Sequence, residues 1–248
     1  MSGHSKWATT KHKKAANDAR RAKLWAKLIR NIEVAARSGG PDIEGNPTLY
    51  DAVYKARKNS VPNDNIDRAI KRGSGAGGDG VDYQNILYEG YGPGGIAILV
   101  ECLTDNKNRA AAEVRLAFTK NSGNLADPGS VSYQFARKGV IVVSEGVTEY
   151  QVLEATIEHG LEDITATPDG FILTCEAGAL TDVRESLQKS SVDYESADVE
   201  FVSSLKIDAD KDVAEKIIRL VEGLEDLDDV QDVYTNMDLS SDVLAQLS

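Results

Sequence analysis

The spacing of apolar residues divides the chain into three stretches of different period. From about His12 to Arg37 the period is helical: Ala22, Trp25, Ala26, Ile29, Ile32 and Ala36 share one sector of the projection, and Lys13, Arg20, Lys23, Lys27 and Arg30 share another. One face packs and the other is cationic. The pattern ends at Ser38-Gly39-Gly40-Pro41, where glycine admits a left-handed cap and proline cannot continue a helix. Asn46 then predicts an N-cap with Pro47 at the first helical position, and Leu49, Ala52, Val53 and Ala56 form the inner stripe. Pro62-Asn63 restarts the chain, with Asp64 and Asp67 near the positive end of a helix whose inner face is Ile66, Ala69 and Ile70. Three such helices predict a small bundle.

Arg72-Gly73-Ser74-Gly75-Ala76-Gly77-Gly78-Asp79-Gly80 reads as a linker, because so many glycines are costly to order. Beyond it the period becomes that of strands. Ile86 to Tyr91 and Ile96 to Thr104 flank the turn Gly92-Pro93-Gly94-Gly95, and Ala110 to Thr119 reads as a helix. Next come strand material at Val131 to Phe135 and Val140 to Val143, a helix at Glu149 to His159, strands at Asp163 to Ala166 and Phe171 to Cys175, a helix at Leu180 to Leu187, and a strand at Tyr194 to Phe201. That order, βαββαβ, is the split βαβ arrangement of ferredoxin-like domains. The tail from Leu205 supplies strand, helix (Val213 to Leu224) and strand (Val230 to Tyr234), too little for a sheet domain by itself. The expected fold class is α+β: an N-terminal three-helix bundle followed by two α/β sandwich domains, one ferredoxin-like and inserted into the other. The expected boundaries are 1–80 for the helical head and linker, 81–131 plus 205–248 for a discontinuous domain, and 132–204 for the inserted one.

Charge changes this picture. The net charge of −12 conceals a division: residues 1–72 hold 16 Lys+Arg against 7 Asp+Glu, and the rest hold 12 against 33, balances of +9 and −21. One end suits phosphate and the other repels it. No apolar run reaches the roughly 18 residues of a membrane span, the first residues lack the pattern of a secretory signal, and Cys102 and Cys175 sit far apart in apolar strands. These features predict a cytoplasmic protein with no membrane partner.

Site chemistry is sparse. Gly73, Gly75 and Gly78 spell G-x-G-x-x-G, but a helix precedes them and a strand follows, the reverse of a dinucleotide fingerprint. A Walker loop fails as well, since Asp79 stands where lysine is needed. His4, His12 and His159 have no carboxylate or cysteine at ligand spacing, and neither cysteine has a CxxC partner. The expectation is therefore a non-enzyme with no cofactor and no metal. The turn around Tyr91 and its glycines reads as a hairpin rather than a stacking surface for a base. The strong signal is the basic head, where Lys6, Lys11, His12, Lys13 and Lys14 alternate with Trp7, Ser5, Thr9 and Thr10 before the cationic face of Arg20, Lys23, Lys27 and Arg30. Such cations neutralise phosphates, hydroxyls bond phosphate oxygens, and Trp7 can stack on a base or anchor to the protein body. The alternatives are a solvated lysine-rich helix, or a docking site for the protein's own acidic domains.

The opening Met1-Ser2-Gly3-His4-Ser5-Lys6-Trp7-Ala8-Thr9-Thr10-Lys11-His12-Lys13-Lys14 closely resembles the start of the YebC/PmpR family. Asn46-Pro47, Val61-Pro62-Asn63-Asp64-Asn65-Ile66-Asp67-Arg68-Ala69-Ile70-Lys71, Tyr88-Glu89-Gly90-Tyr91-Gly92-Pro93-Gly94-Gly95, Thr104-Asp105-Asn106-Lys107-Asn108-Arg109 and Gly129-Ser130-Val131 extend the resemblance over nearly the whole chain. It implies a three-domain cytoplasmic protein, commonly described as a DNA-binding transcriptional regulator. A mitochondrial relative is described as a translational activator of a cytochrome oxidase subunit, and bacterial members are linked to ribosomes and relief of stalled translation. The implied nucleic acid is thus DNA or, alternatively, ribosomal or transfer RNA; by their charge, the acidic domains are expected to orient the complex or to meet a protein partner. Carried over residue by residue, the family's functional positions reach only Lys6 to Lys14; Arg20 to Arg30 rest on the helical projection.

Overall fold

The structure is a computed structural model that describes residues 18–75, 82–143, 146–167 and 169–247. Helix α1 (Asp18–Gly39) ends where Gly40 turns left-handed at φ +87° and its N–H bonds the Ala36 carbonyl at 3.0 Å. Asn46 then caps α2 (Pro47–Lys58): its Oδ1 accepts the Leu49 N–H at 3.1 Å, and its Nδ2 donates to the carbonyls of Ala35 and Gly40, each at 2.9 Å. One buried amide thus starts α2 and secures the end of α1. Helix α3 (Asn63–Gly73) closes against α1 at Gly73, where a Cβ would fall 2.4 Å from the Glu33 carbonyl oxygen.

The bundle core is Leu28, Ile32, Ala35, Ala36, Leu49, Val53, Ala56, Val61, Ile66 and Ala69. Ala22 and Ala26, expected on the packed face, are exposed, whereas Leu28 and Ala35 are buried. At ~1.5 Å per residue the 22 residues of α1 outreach the 12 of α2 and the 11 of α3, so its first turns, with Ala22, overhang the bundle, whereas Ala26 lies between Trp25 and Leu28, which pack on the core, and faces away from it.

The first sheet has the order β3-β1-β2-β9, with β1 (Gln84–Tyr91), β2 (Ala97–Thr104), β3 (Asn124–Ala126) and β9 (Val230–Thr235) all antiparallel to their neighbours. Two helices, α4 (Lys107–Lys120) and α7 (Lys211–Glu225), cover one face, packing Val114, Phe118, Ile217 and Leu220 on Ile98, Val100, Cys102, Val230 and Val233. Gly94, at φ +73°, makes the turn from β1 to β2 under Val213 of α7. A short parallel pair, β8 (Ile207–Asp208) with β10 (Met237–Asp238), and a last helix, α8 (Ser241–Leu247), complete this core.

The second sheet has the order β5-β6-β4-β7, built from β4 (Phe135–Val143), β5 (Leu161–Thr167), β6 (Gly170–Glu176) and β7 (Tyr194–Ser203), again antiparallel. Helices α5 (Glu149–Thr156) and α6 (Leu180–Lys189) bury Val152, Ala155, Val183 and Leu187 against Ile141, Leu173 and Cys175. With β6 lying between β4 and β5, this is the ferredoxin-like split βαβ order. The chain enters this sheet after Gln134 and leaves it beside the same point, where the Ser204 N–H bonds the Gln134 carbonyl at 3.0 Å. The outer face of the first sheet meets it through Leu99, Val131, Phe135 and Tyr234, with Phe201 edge-on to Tyr234 at 5.4 Å.

One local expectation is corrected. Residues Ser132–Gln134 form a single 3₁₀ turn rather than a strand, and β4 runs unbroken from Phe135. The cause is Glu89 on β1. Its buried carboxylate accepts the N–H groups of Gly129 and Val131 at 2.7 Å and of Ser132 at 2.8 Å, leaving them unavailable to a ladder. Burial pushes the Glu89 carboxyl up, but these three donors outweigh it and hold it below the usual range.

Candidate nucleic-acid interface

Lys6, Trp7, Lys11, His12, Lys13 and Lys14 lie outside the described residues, and of Arg20 only the backbone, within α1, is described. Lys23, Lys27 and Arg30 follow on α1 at intervals of four and three, which stacks them along one side of the helix. That side meets the turn after α7. Lys23 Nζ donates to the Asp226 carbonyl at 3.0 Å and to Asp226 Oδ1 at 3.2 Å, and Lys27 Nζ donates to the Glu225 carbonyl at 2.9 Å. These carbonyls belong to the unsatisfied last turn of α7, where the helix dipole is negative, so two ammonium groups cap it. Burial pulls the Lys27 ammonium down, against the opposing charges of Asp232 and Glu225.

Arg30 goes deeper. Its Nη1 donates to the carbonyls of Leu103 at 2.9 Å and Asp228 at 3.0 Å, approaches Asp229 Oδ1 at 3.4 Å, and its guanidinium lies 5.1 Å over the Tyr83 ring. Asp229 is 2% exposed and is shared: Arg109 reaches it with Nε at 3.0 Å and Nη2 at 2.9 Å, and the Thr104 hydroxyl donates to it at 2.9 Å. A buried carboxylate therefore has three donor side chains, the condition under which such a charge is tolerated.

The neighbouring helix α2 docks differently, on β7 and α6. Arg184 Nη1 donates to Asp51 at 2.8 Å, the Tyr54 and Tyr194 hydroxyls meet at 2.9 Å, and Lys58 Nζ donates to the Tyr194 carbonyl at 2.7 Å. Lys55 pairs with Asp198. Burial opposes the Lys55 charge, yet Asp198 outweighs it and raises the ammonium. Lys55 and Lys27 face four carboxylates: Asp198 and Glu200 on β7, Asp232 on β9 and Glu101 opposite it on β2. Burial, then Asp198 and Asp232, push the Glu200 carboxyl up to about 8, and burial and Glu101 push Asp232 up to about 6. Asp232 keeps contact with solvent, so its perturbation is worth less than that of Glu200.

Sequence reasoning brought three cations together correctly as one side of a helix, but that side is engaged by the protein's own acidic body. It missed Asp229, Arg109, Tyr54, Lys55, Arg184 and Tyr194. A signal for part of this was present: Glu225-Asp226-Leu227-Asp228-Asp229 is an acidic run whose natural counterpart is the cationic helix. Among the described residues, no group of three or more His, Cys, Asp or Glu is arranged to hold a metal ion, and no helix is long and apolar enough to cross a membrane. Cys102 is buried and free, its thiol pushed up to about 12 by burial and by Asp229.

A basic helical head clasped by an acidic body of two antiparallel sheets defines a mixed α+β, multi-unit protein in which charge is the main chemical feature. The chain belongs to the YebC family: residues 5–76 match the TACO1/YebC protein N-terminal domain, and residues 83–237 match the TACO1/YebC second and third domain. A probable transcriptional regulatory protein of Leifsonia xyli subsp. xyli is 62% identical over 249 residues, spanning 100% of this chain and 99% of the relative. Another, from Mycolicibacterium smegmatis, is 60% identical over 248 residues, with 100% and 99% covered. Among solved structures, a conserved hypothetical protein from Aquifex aeolicus superposes with a TM-score of 0.84 at 44% identity, covering 92% of this chain and 95% of the other.

Proposed function

We propose that the protein is a non-enzymatic regulator of gene expression that works in the cytoplasm by binding DNA through its basic head. The observation that carries this reading is the charge division, +9 over residues 1–72 against −21 over the rest. The names of the relatives, probable transcriptional regulatory proteins, support it. Because Lys23, Lys27 and Arg30 are engaged by the body, phosphate contact falls first to Lys6, Lys11, His12, Lys13, Lys14 and Arg20, with Trp7 as the ring that stacks on a base. The three engaged cations orient the head, and reach phosphate only if α1 leaves its seat. The acidic body turns polyanions toward the head and meets a protein partner. Removing residues 1–17 should abolish most binding while the sheets stay folded; wild-type affinity in the truncated chain would sink this reading.

A second reading has one observation in its favour. Helix α2, which with α3 could imitate a helix-turn-helix, is occupied by β7 and α6, so the first helix of that pair is not free to cross a DNA backbone. Recognition by phosphate and shape suits structured ribosomal or transfer RNA equally well, in a ribosome-associated role relieving stalled translation. Crosslinking in living cells, followed by sequencing of bound DNA and bound RNA, separates the two: promoter-enriched DNA supports the first, and ribosomal or transfer RNA the second.

A further inference from the structure

Helix α5 and the turn after it bury Val152, Ala155 and Thr156, but leave Tyr150 73%, Leu153 39% and Ile157 69% exposed. Positions i, i+3 and i+7 fall within about 60° of one another on a helix. Single exposed apolar residues need no explanation, whereas an aligned stripe of three large ones marks a contact surface. Carboxylates border it on both edges, Glu149 on one and Glu154 and Glu158 on the other, all exposed.

Those carboxylates select the occupant. Nucleic acid and an anionic lipid surface are repelled by them. A second copy of this chain, meeting the stripe about a two-fold axis, would set the same three carboxylates against themselves. A cationic protein segment is attracted, both locally and by the −21 balance of the body. Two turns of helix bearing anchors at this spacing match an amphipathic helix with lysine or arginine beside its apolar face. We propose that the α5 stripe of Tyr150, Leu153 and Ile157 is the docking surface for a basic amphipathic helix of a protein partner. This deepens the partner role proposed for the acidic body by giving it a surface and a chemistry.

The test uses the full chain and, as probe, a labelled synthetic amphipathic peptide of Leu and Lys, with anisotropy as the readout. Tyr150→Ser, Leu153→Ser and Ile157→Ser together should weaken binding about tenfold or more with little change in Tm, since all three side chains are exposed. Glu149→Gln, Glu154→Gln and Glu158→Gln together should weaken it less and flatten its salt dependence. If the triple serine chain fails to fold, Tyr150→Ser with Ile157→Ser, the two most exposed positions, serves in its place. Undiminished binding by the serine variant would mean that the peptide is held by charge elsewhere on the body, overturning this surface but not the partner role. No binding by the wild type would overturn both. A wild-type dimer in sedimentation that the serine variant dissolves would name the chain itself as occupant, and also overturn the proposal.

Discussion

The two helices that seat the head on the body, α1 and α2, hold it by different chemistry. Helix α1 places Lys23, Lys27 and Arg30 chiefly on backbone carbonyls at 225, 226, 228 and 103, with one deeply buried carboxylate, Asp229, behind them. Helix α2 places Asp51, Tyr54 and Lys55 on the side chains of Arg184, Tyr194 and Asp198, beside crowded carboxylates. Carbonyls do not titrate, whereas carboxyls do. The first seat is therefore the more fixed anchor, although Lys27 there faces Asp232, and the second, beside Glu200, responds more strongly to pH. Both engage cations of the head, Lys23, Lys27 and Arg30 in one and Lys55 and Lys58 in the other, so on the proposed reading nucleic acid and the body draw on one reservoir of positive charge.

The largest expected effect lies at the first seat. Asp229→Ala strips Arg30, Arg109 and the Thr104 hydroxyl of a common acceptor and should destabilise by about 3 kcal/mol, read from denaturant unfolding. A loss under about 1 kcal/mol would show that solvent replaces the carboxylate and that this seat is not an anchor.

The second seat carries the pH dependence. A carboxyl whose folded value lies above its unfolded one binds its proton more tightly in the native state, so its contribution is present below the unfolded value and lost as pH rises through the folded one. For Glu200 that window runs from the ordinary 4.5 to about 8. Glu200→Gln should flatten the stability profile between those limits and raise stability at pH 8 by roughly 1–2 kcal/mol. Thermal melts across the window check this, and an unchanged slope would remove the titrating seat.

Smaller effects sharpen the contrast. Tyr194→Phe should cost about 1 kcal/mol, and a double-mutant cycle with Tyr54→Phe should show that the two losses do not add, because one hydroxyl pair is broken either way. Lys23→Gln, whose pair with Asp226 is 44% and 69% exposed, should cost under about 1 kcal/mol.

Much of the scaffold was legible in the chain. Asn46-Pro47 and Gly40 carry capping chemistry that acts over four residues, so helix limits followed from local spacing. The ferredoxin-like order followed from alternation of period. What escaped depends on contacts far apart in sequence. The turn at Ser132–Gln134 is made by Glu89, more than forty positions earlier, and the overhang of α1 depends on the lengths of its neighbours. The strands Asn124–Ala126 and Met237–Asp238 are too short to show a period. At the candidate site, sequence placed the cations on one side of α1 but not their partners, since an acidic run near residue 225 and a basic helix near residue 27 pair only once the fold brings them together.

On the proposed reading the head meets phosphate through its first residues while the α1 cations stay seated, and the salt dependence of affinity for a duplex puts this to the test. Lys6→Gln, Lys11→Gln, Lys13→Gln and Lys14→Gln together should shrink the slope of log affinity against log salt by about three to four units, equally for unrelated sequences. Lys23→Gln, Lys27→Gln and Arg30→Gln together should leave that slope unchanged. A slope reduced by about two to three units in the second variant, with the fold intact, would contradict the claim and show that α1 leaves its seat to bind phosphate.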